Sequence, residues 1–199
     1  MIDRHPVRII VGDDLHRSRL TVFFRFLLAI PHLIWAALLG IAAIVVAFLN
    51  WFATLVRGQS PRALHDFLAG YVRYVTRIEA YLFLAANPFP GFFTGSSMDV
   101  YPIDLEIDPP QPQNRWKTGF RLLLAIPAFL VDAALSGALV ASAVLTWFYA
   151  LVKGSAPWGL RNLSAYALRY DAQTISYVYL VTDAYPHASP LEGEEPLAE

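Results

Sequence analysis

Arg25-Phe-Leu-Leu-Ala-Ile-Pro31 recurs as Arg121-Leu-Leu-Leu-Ala-Ile-Pro127, 96 positions later. Working outward from this phrase, Pro6 to Pro90 aligns without a gap onto Pro102 to Pro186. Trp51-Phe52 matches Trp147-Phe148, Gly58 and Pro61 match Gly154 and Pro157, and Arg73-Tyr74 matches Arg169-Tyr170. A tandem duplication makes each copy one structural unit and the whole pseudo-symmetric. The repeats occupy 1–90 and 97–186, and a polar, acidic, proline-bearing tail at 187–199 has the composition of a disordered segment.

Composition sets the solvent. Of 199 residues 56% are hydrophobic and only 16% charged, a balance that points to lipid. Leu33 to Val56 is 24 residues with no charge, and Phe129 to Val152 is 24 with only Asp132. At about 1.5 Å per residue each run is about 36 Å long, enough to cross a hydrocarbon core of about 30 Å. The first follows charged, strand-like sequence, is too long for a signal-peptide core and lacks a small-residue cleavage site, so it is expected to be retained. A net charge of -1, with arginines dispersed among aromatics, argues against a nucleic-acid partner. The absence of cysteine excludes disulfides, thiolate metal sites and cysteine nucleophiles.

Each copy opens with a short alternating segment, Pro6 to Val11 and Pro102 to Ile107. Ile103, Leu105 and Ile107 alternate with Asp104 and Glu106, while the first segment carries Arg8. An isolated strand leaves its backbone unsatisfied, so the two should pair, with Arg8 facing the acidic edge. An amphipathic lead-in follows, Ser18 to Ile30, with Arg19 and Arg25 among phenylalanines. It suits the headgroup boundary and ends at Pro31, where the helix kinks or a new one starts. The apolar helix ends at Arg57-Gly58-Gln-Ser-Pro61 and Lys153-Gly154-Ser-Ala-Pro157. There a cation complements the helix dipole, Gly takes the left-handed position, Ser60 is a candidate N-cap and Pro starts the next helix.

That next helix, Pro61 to Ala86 and Pro157 to Val181, is long enough to span but is interrupted by Asp66, Arg73, Arg77 and Glu79 in one copy and Arg161, Arg169 and Asp171 in the other. If the paired strands share one side, each repeat crosses an even number of times. This favours a membrane hairpin per repeat, four membrane helices in all. The alternative is one crossing per repeat with the second helix lying flat. The expected fold is thus an all-α integral membrane protein of two tandem repeats, each a strand, an interfacial helix and a membrane helical hairpin, with a two-stranded pair outside the membrane. Cations are more frequent on the strand side than in the intrahelical turns, which places the termini in the cytoplasm.

The order of Arg-x-Leu-Leu-Ala-Ile-Pro31, Trp51-Phe52-x-x-Leu55, Arg57-Gly58-x-x-Pro61 and a closing Tyr81-Leu-Phe-Leu84 resembles the bacterial membrane family called domain of unknown function 4389. The resemblance covers nearly the whole chain except the tail. The second copy departs from it with Ala128 where the first has His32, and with Asp108-Pro-Pro-Gln-Pro112 after its strand. It implies an integral membrane protein in a bacterium, for which the cytoplasmic membrane is the expected location, and supplies no activity and no catalytic residues.

Four arginines are candidate binding residues for lipid or a partner. Arg25 and Arg121, in the lead-ins, would reach lipid phosphates, a contact worth about 1 kcal/mol at an anionic surface. Arg73 and Arg169, at equivalent positions before Tyr, would hold a lipid phosphate or a partner's carboxylate in a symmetric site, or else pair with Glu79 and Asp171 or snorkel. His32 has no second histidine at ligand spacing, and the five histidines are scattered without a zinc-site pattern, so no metal or cofactor is expected. Asp132 reads as a solvated group near a helix end. Trp35, Trp51, Tyr81, Trp147, Trp158, Tyr177 and Tyr179 read as interfacial anchors, and the Gly and Ala faces as packing surfaces.

No nucleophile elbow, dinucleotide fingerprint or phosphate loop occurs. The leading expectation is a non-enzymatic membrane protein acting as scaffold, as accessory subunit of a larger membrane complex or as a lipid-organising factor, with anionic lipids among its partners. The second is a small transporter, channel or membrane enzyme with a site at the repeat interface around Arg73 and Arg169.

Overall fold

A computed structural model describes residues 5–12, 15–92 and 101–189. The tail expected at 187–199 lies outside them from 190 onward. The first repeat forms β1 (Val7–Val11), α1 (Arg19–Arg57) and α2 (Arg62–Leu82). The second forms β2 (Ile103–Ile107), two short helices α3 (Arg115–Gly119) and α4 (Arg121–Leu124), then α5 (Ile126–Lys153) and α6 (Trp158–Val178).

The two strands pair antiparallel, Ile9 opposite Leu105 and Arg8 opposite Glu106. Arg8 bonds both acids of its partner's edge, Glu106 at 3.1 Å and Asp108 at 2.8 Å. Ile9 and Leu105 are equivalent residues of the two copies, so the pseudo-twofold axis runs through this pair. The same axis relates contacts far from the sheet. Trp51 Nε1 donates to the Thr118 carbonyl and Trp147 Nε1 to that of Val22. His16 bridges Ser155 while Gln59 bridges Pro112. The repeats are therefore interlocked, each turn seated against the other's lead-in.

Three layers stack along the axis. The inward strand face, Val7 and Leu105 among it, packs on Val72 of α2 and Ala172 of α6. On its other side α2 meets α1 antiparallel, Leu68 and Ala69 against Ala43 and His32 against Tyr74. Likewise α6 meets α5, where the Ser142 and Ser164 hydroxyls lie 2.7 Å apart. The outer layer of α1 and α5 is mostly bare: only 11% and 17% of their most apolar stretches are buried.

Both readings of the proline occur, one in each copy. In the first, Pro31 lies inside one unbroken 39-residue helix, so there is no separate lead-in. In the second, Pro127 opens α5 after α3 and α4. Gly58 and Gly154 take the left-handed conformation at φ 77° and 72°. Pro61 and Pro157 stand one residue earlier than expected, as helix caps. Ser60 does not cap: its hydroxyl donates to Asn50 Oδ1 at 2.7 Å. Among the described helices, α1 and α5 alone are long and apolar enough to cross a membrane; α2 and α6, shorter than expected, are not.

Candidate functional site

Arg25 and Arg121 are 1% exposed, which corrects their assignment to the headgroup layer. The reason is helical phase. Val22, Arg25, Ala29 and His32 fall on one buried stripe of α1, while the neighbouring Phe23, Phe24, Phe26 and Leu27 face out. The Arg25 guanidinium lies 4.3 Å from the centre of the Tyr81 ring and donates to the carbonyls of Tyr81 (2.6 Å) and Ala86 (3.0 Å). Arg121 lies 4.2 Å over Tyr177 and donates to the Thr182 carbonyl, Gln113 Oε1 and Asp183 Oδ1. Arg25 thus caps the end of α2, where orphan carbonyls and the negative end of the helix dipole call for a cation, while Arg121 holds the chain just beyond α6 at the equivalent place.

The chain after α2 and α6 turns at Leu84 and Leu180, both left-handed at φ 63° and 62°. Arg17, fully buried, donates to the Leu84 and Ala85 carbonyls at 3.0 and 2.8 Å, and its counterpart Gln113 donates to Leu180 at 2.6 Å. Arg17 and Gln113 were missed because the two copies differ there. The shared Tyr81/Tyr177 and Leu84/Leu180 were the available signal. Tyr81 and Tyr177, both buried, serve these internal contacts, which corrects their reading as interfacial anchors.

Arg73 and Arg169 do not form one symmetric site. Arg73 Nε donates to the Leu105 carbonyl at 3.0 Å, tying α2 to β2, and Arg77 takes Asp104 with contacts of 3.0 and 2.5 Å. Arg169 donates to the Ser189 carbonyl and lies 5.1 Å over Tyr166, whose hydroxyl donates to Ala188. It holds the segment after α6 against the strand side of the molecule.

Glu79, Asp132 and Asp171, each half-buried, stand near one another on α2, α5 and α6. Loss of solvation first, and the neighbouring acids second, push the Glu79 and Asp171 carboxyls above the ordinary range. Asp132, in the second turn of α5, is half-buried beside these two acids. His32 is 1% exposed, with Nδ1 2.8 Å from the Tyr74 hydroxyl and its ring stacked on Phe92. Among the described residues no group of three or more potential ligands is arranged to hold a metal.

Two apolar grooves, related by the pseudo-twofold, open beside the outer helices. One, of about 550 Å³, runs between Phe26 and Val144, and the other, of about 450 Å³, between Leu122 and Phe48. Their floors are the capped ends of α2 and α6.

The architecture defines a tandem-repeat helical protein with an exposed apolar layer and a polar strand layer. The profile described as "Domain of unknown function (DUF4389)" matches residues 19–94 and again 115–189, most of the chain in two copies, and the protein belongs to that family. No curated protein and no solved structure matches it.

Proposed function

We propose that this is a non-catalytic membrane protein of the bacterial cytoplasmic membrane, working as a scaffold, as an accessory subunit of a larger complex or as a lipid-organising factor. One observation carries the reading: α1 and α5 present bare apolar surface along most of their length, while the paired strands and their ion pairs lie on the opposite side. Exposed apolar area of this extent needs a nonaqueous partner. Arg73 and Arg169, offered as a transport or catalytic site, are engaged with the Leu105 and Ser189 carbonyls. Cations at the rim support anionic lipids as partners, and the strand layer is assigned to the cytoplasmic side.

The test is fractionation of the full-length protein followed by affinity purification in mild detergent, with co-purifying proteins and lipids identified by mass spectrometry. Recovery in the membrane fraction with bound lipid or a stoichiometric membrane partner is expected. Recovery in the soluble fraction without detergent would overturn the reading. The half-buried acids Glu79, Asp132 and Asp171 favour a second reading, a proton-coupled carrier. It predicts that Asp171→Asn abolishes substrate-dependent proton flux in proteoliposomes.

A further inference from the structure

Resting on the membrane reading above, the geometry points to a monotopic arrangement: α1 and α5 lie side by side in the plane of one leaflet, with the pseudo-twofold axis along the membrane normal. Three observations on independent parts of the fold meet here.

The first is length. Large apolar side chains are exposed along α1 from Leu20 to Val56, about 54 Å at 1.5 Å per residue. Fitting that band into a hydrocarbon core of about 30 Å requires a tilt of about 56°, beyond the usual range of about 0–40°. In the membrane plane the same band meets no limit.

The second is symmetry. Equivalent contacts pair Val22 with Trp147 and Trp51 with Thr118, so α1 and its counterpart run antiparallel and the axis crosses them at mid-length. If these helices crossed the bilayer, the axis would lie in its midplane. The strand pair, which sits on the axis over the middle of α2 and α6, would then lie at the depth of the hydrocarbon centre. Arg8, Glu106, Asp108, Arg77 and Asp104 would lie there with it, and charges at that depth are strongly disfavoured. With the axis along the normal, the strand layer is in water and α2 and α6 form the layer between. The strand pairing demands an even number of crossings per repeat, and zero satisfies it.

The third is charge. Arg19 reaches the Val152 carbonyl, next to Lys153, at one end of the apolar layer. The symmetry places Arg115 beside Gly58, next to Arg57, at the other. Cations at both ends of an in-plane layer meet the headgroups of one anionic leaflet, the pattern of interfacial helices. Trp116, 80% exposed next to Arg115, sits at the same rim.

The chain has no cysteine, so nitroxides can be placed singly at Leu20→Cys, Leu38→Cys and Val56→Cys, all on the exposed face of α1. Their depth in vesicles of phosphatidylglycerol and phosphatidylethanolamine is then read from oxygen and nickel-chelate accessibility. We expect three similar depths within one leaflet, and labelling of Arg19→Cys and Arg57→Cys by an impermeant maleimide from the same side only. A profile deepest at position 38 with its ends at opposite surfaces would overturn the in-plane arrangement and leave the membrane reading intact. Nitroxides shielded from oxygen, in a protein that stays soluble as an oligomer burying this face between copies, would overturn both.

Discussion

Arg25 donates to the carbonyl of Tyr81 while its guanidinium lies over that residue's ring. Arg121 stands over Tyr177 in the same way. The arginine of the repeated Arg-x-Leu-Leu-Ala-Ile-Pro phrase and the tyrosine of the closing Tyr-x-x-Leu phrase are therefore two halves of one device. It turns the chain after the middle-layer helix and fastens it to the outer layer.

Replacing either arginine with glutamine removes charge-assisted hydrogen bonds and leaves buried carbonyls short of donors. Hydrogen bonds to a charged group are worth about 1.5–3 kcal/mol, so Arg25→Gln and Arg121→Gln should each lower the thermal midpoint, by similar amounts. Loss of helical circular dichroism on heating in detergent measures it. An unchanged midpoint in both variants would show that water replaces the guanidinium and that the cap is not structural.

The turns provide a second check. Gly58 and Gly154 are left-handed, and the Gly58 amide donates to Thr54 at 2.7 Å. Alanine there should cost about 1 kcal/mol. Gly137→Ala, in mid-α5 with nothing near the added methyl, should change stability the other way by up to about 1 kcal/mol and raise the midpoint. The same sign for all three would refute a conformational origin.

The repeat, the strand pair and the two apolar helices were legible in the chain because alternation, charge complementarity and length are local or pairwise signals. The layering was not. Nothing local says that the segment from Arg62 to Leu82 is sandwiched between a sheet and another helix. Arg25 was misplaced because a run of phenylalanines masks its phase. The seam is nonetheless written at seven-residue spacing, Val22, Ala29, Ala36, Ala43 and Asn50, with Arg25 and His32 beside it. Ala36 is half-buried and the other four are buried. The difference between Arg73 and Arg169 was illegible for another reason: their partners come from non-equivalent segments, β2 and the chain after α6.

Arg8 faces two carboxylates across the sheet, and Arg8→Glu would put three acids together. Arg8 is mostly buried, but Glu106 is 54% exposed and Asp108 30%, so solvent screens the interaction. The expected loss is about 1 kcal/mol, with much of it recovered in Arg8→Glu/Glu106→Arg. Midpoints for the single, reverse and double variants form the cycle. A double variant no better than Arg8→Glu would locate the effect elsewhere than this pair.

His5 gives the strand layer a pH dependence. Its ring stacks on His187 with centres 4.9 Å apart, and its Nδ1 lies 3.0 Å from the Val7 amide, from which it accepts when unprotonated, and 2.9 Å from the Val7 carbonyl, to which it donates when protonated. Burial, with His187 and Arg169 adding to it, holds His5 below its ordinary 6.5, against opposing contacts with the backbone of Val7 and Ala184. The folded value lies below the unfolded one, so the unfolded chain takes the proton first. This contribution is complete above about pH 6.5 and is lost as the pH falls below that value. The segment from Tyr185 to Ser189 leans on the strand layer through His187 and Arg169, so it should loosen first. Amide hydrogen exchange there is expected to speed up between pH 7.5 and 5.5 once intrinsic rates are corrected, while the ends of α2 and α6 hold. His5→Asn should flatten the profile. If its pH dependence persists undiminished, the proton is bound elsewhere, and the acids at the seam of α2, α5 and α6 become the group to test.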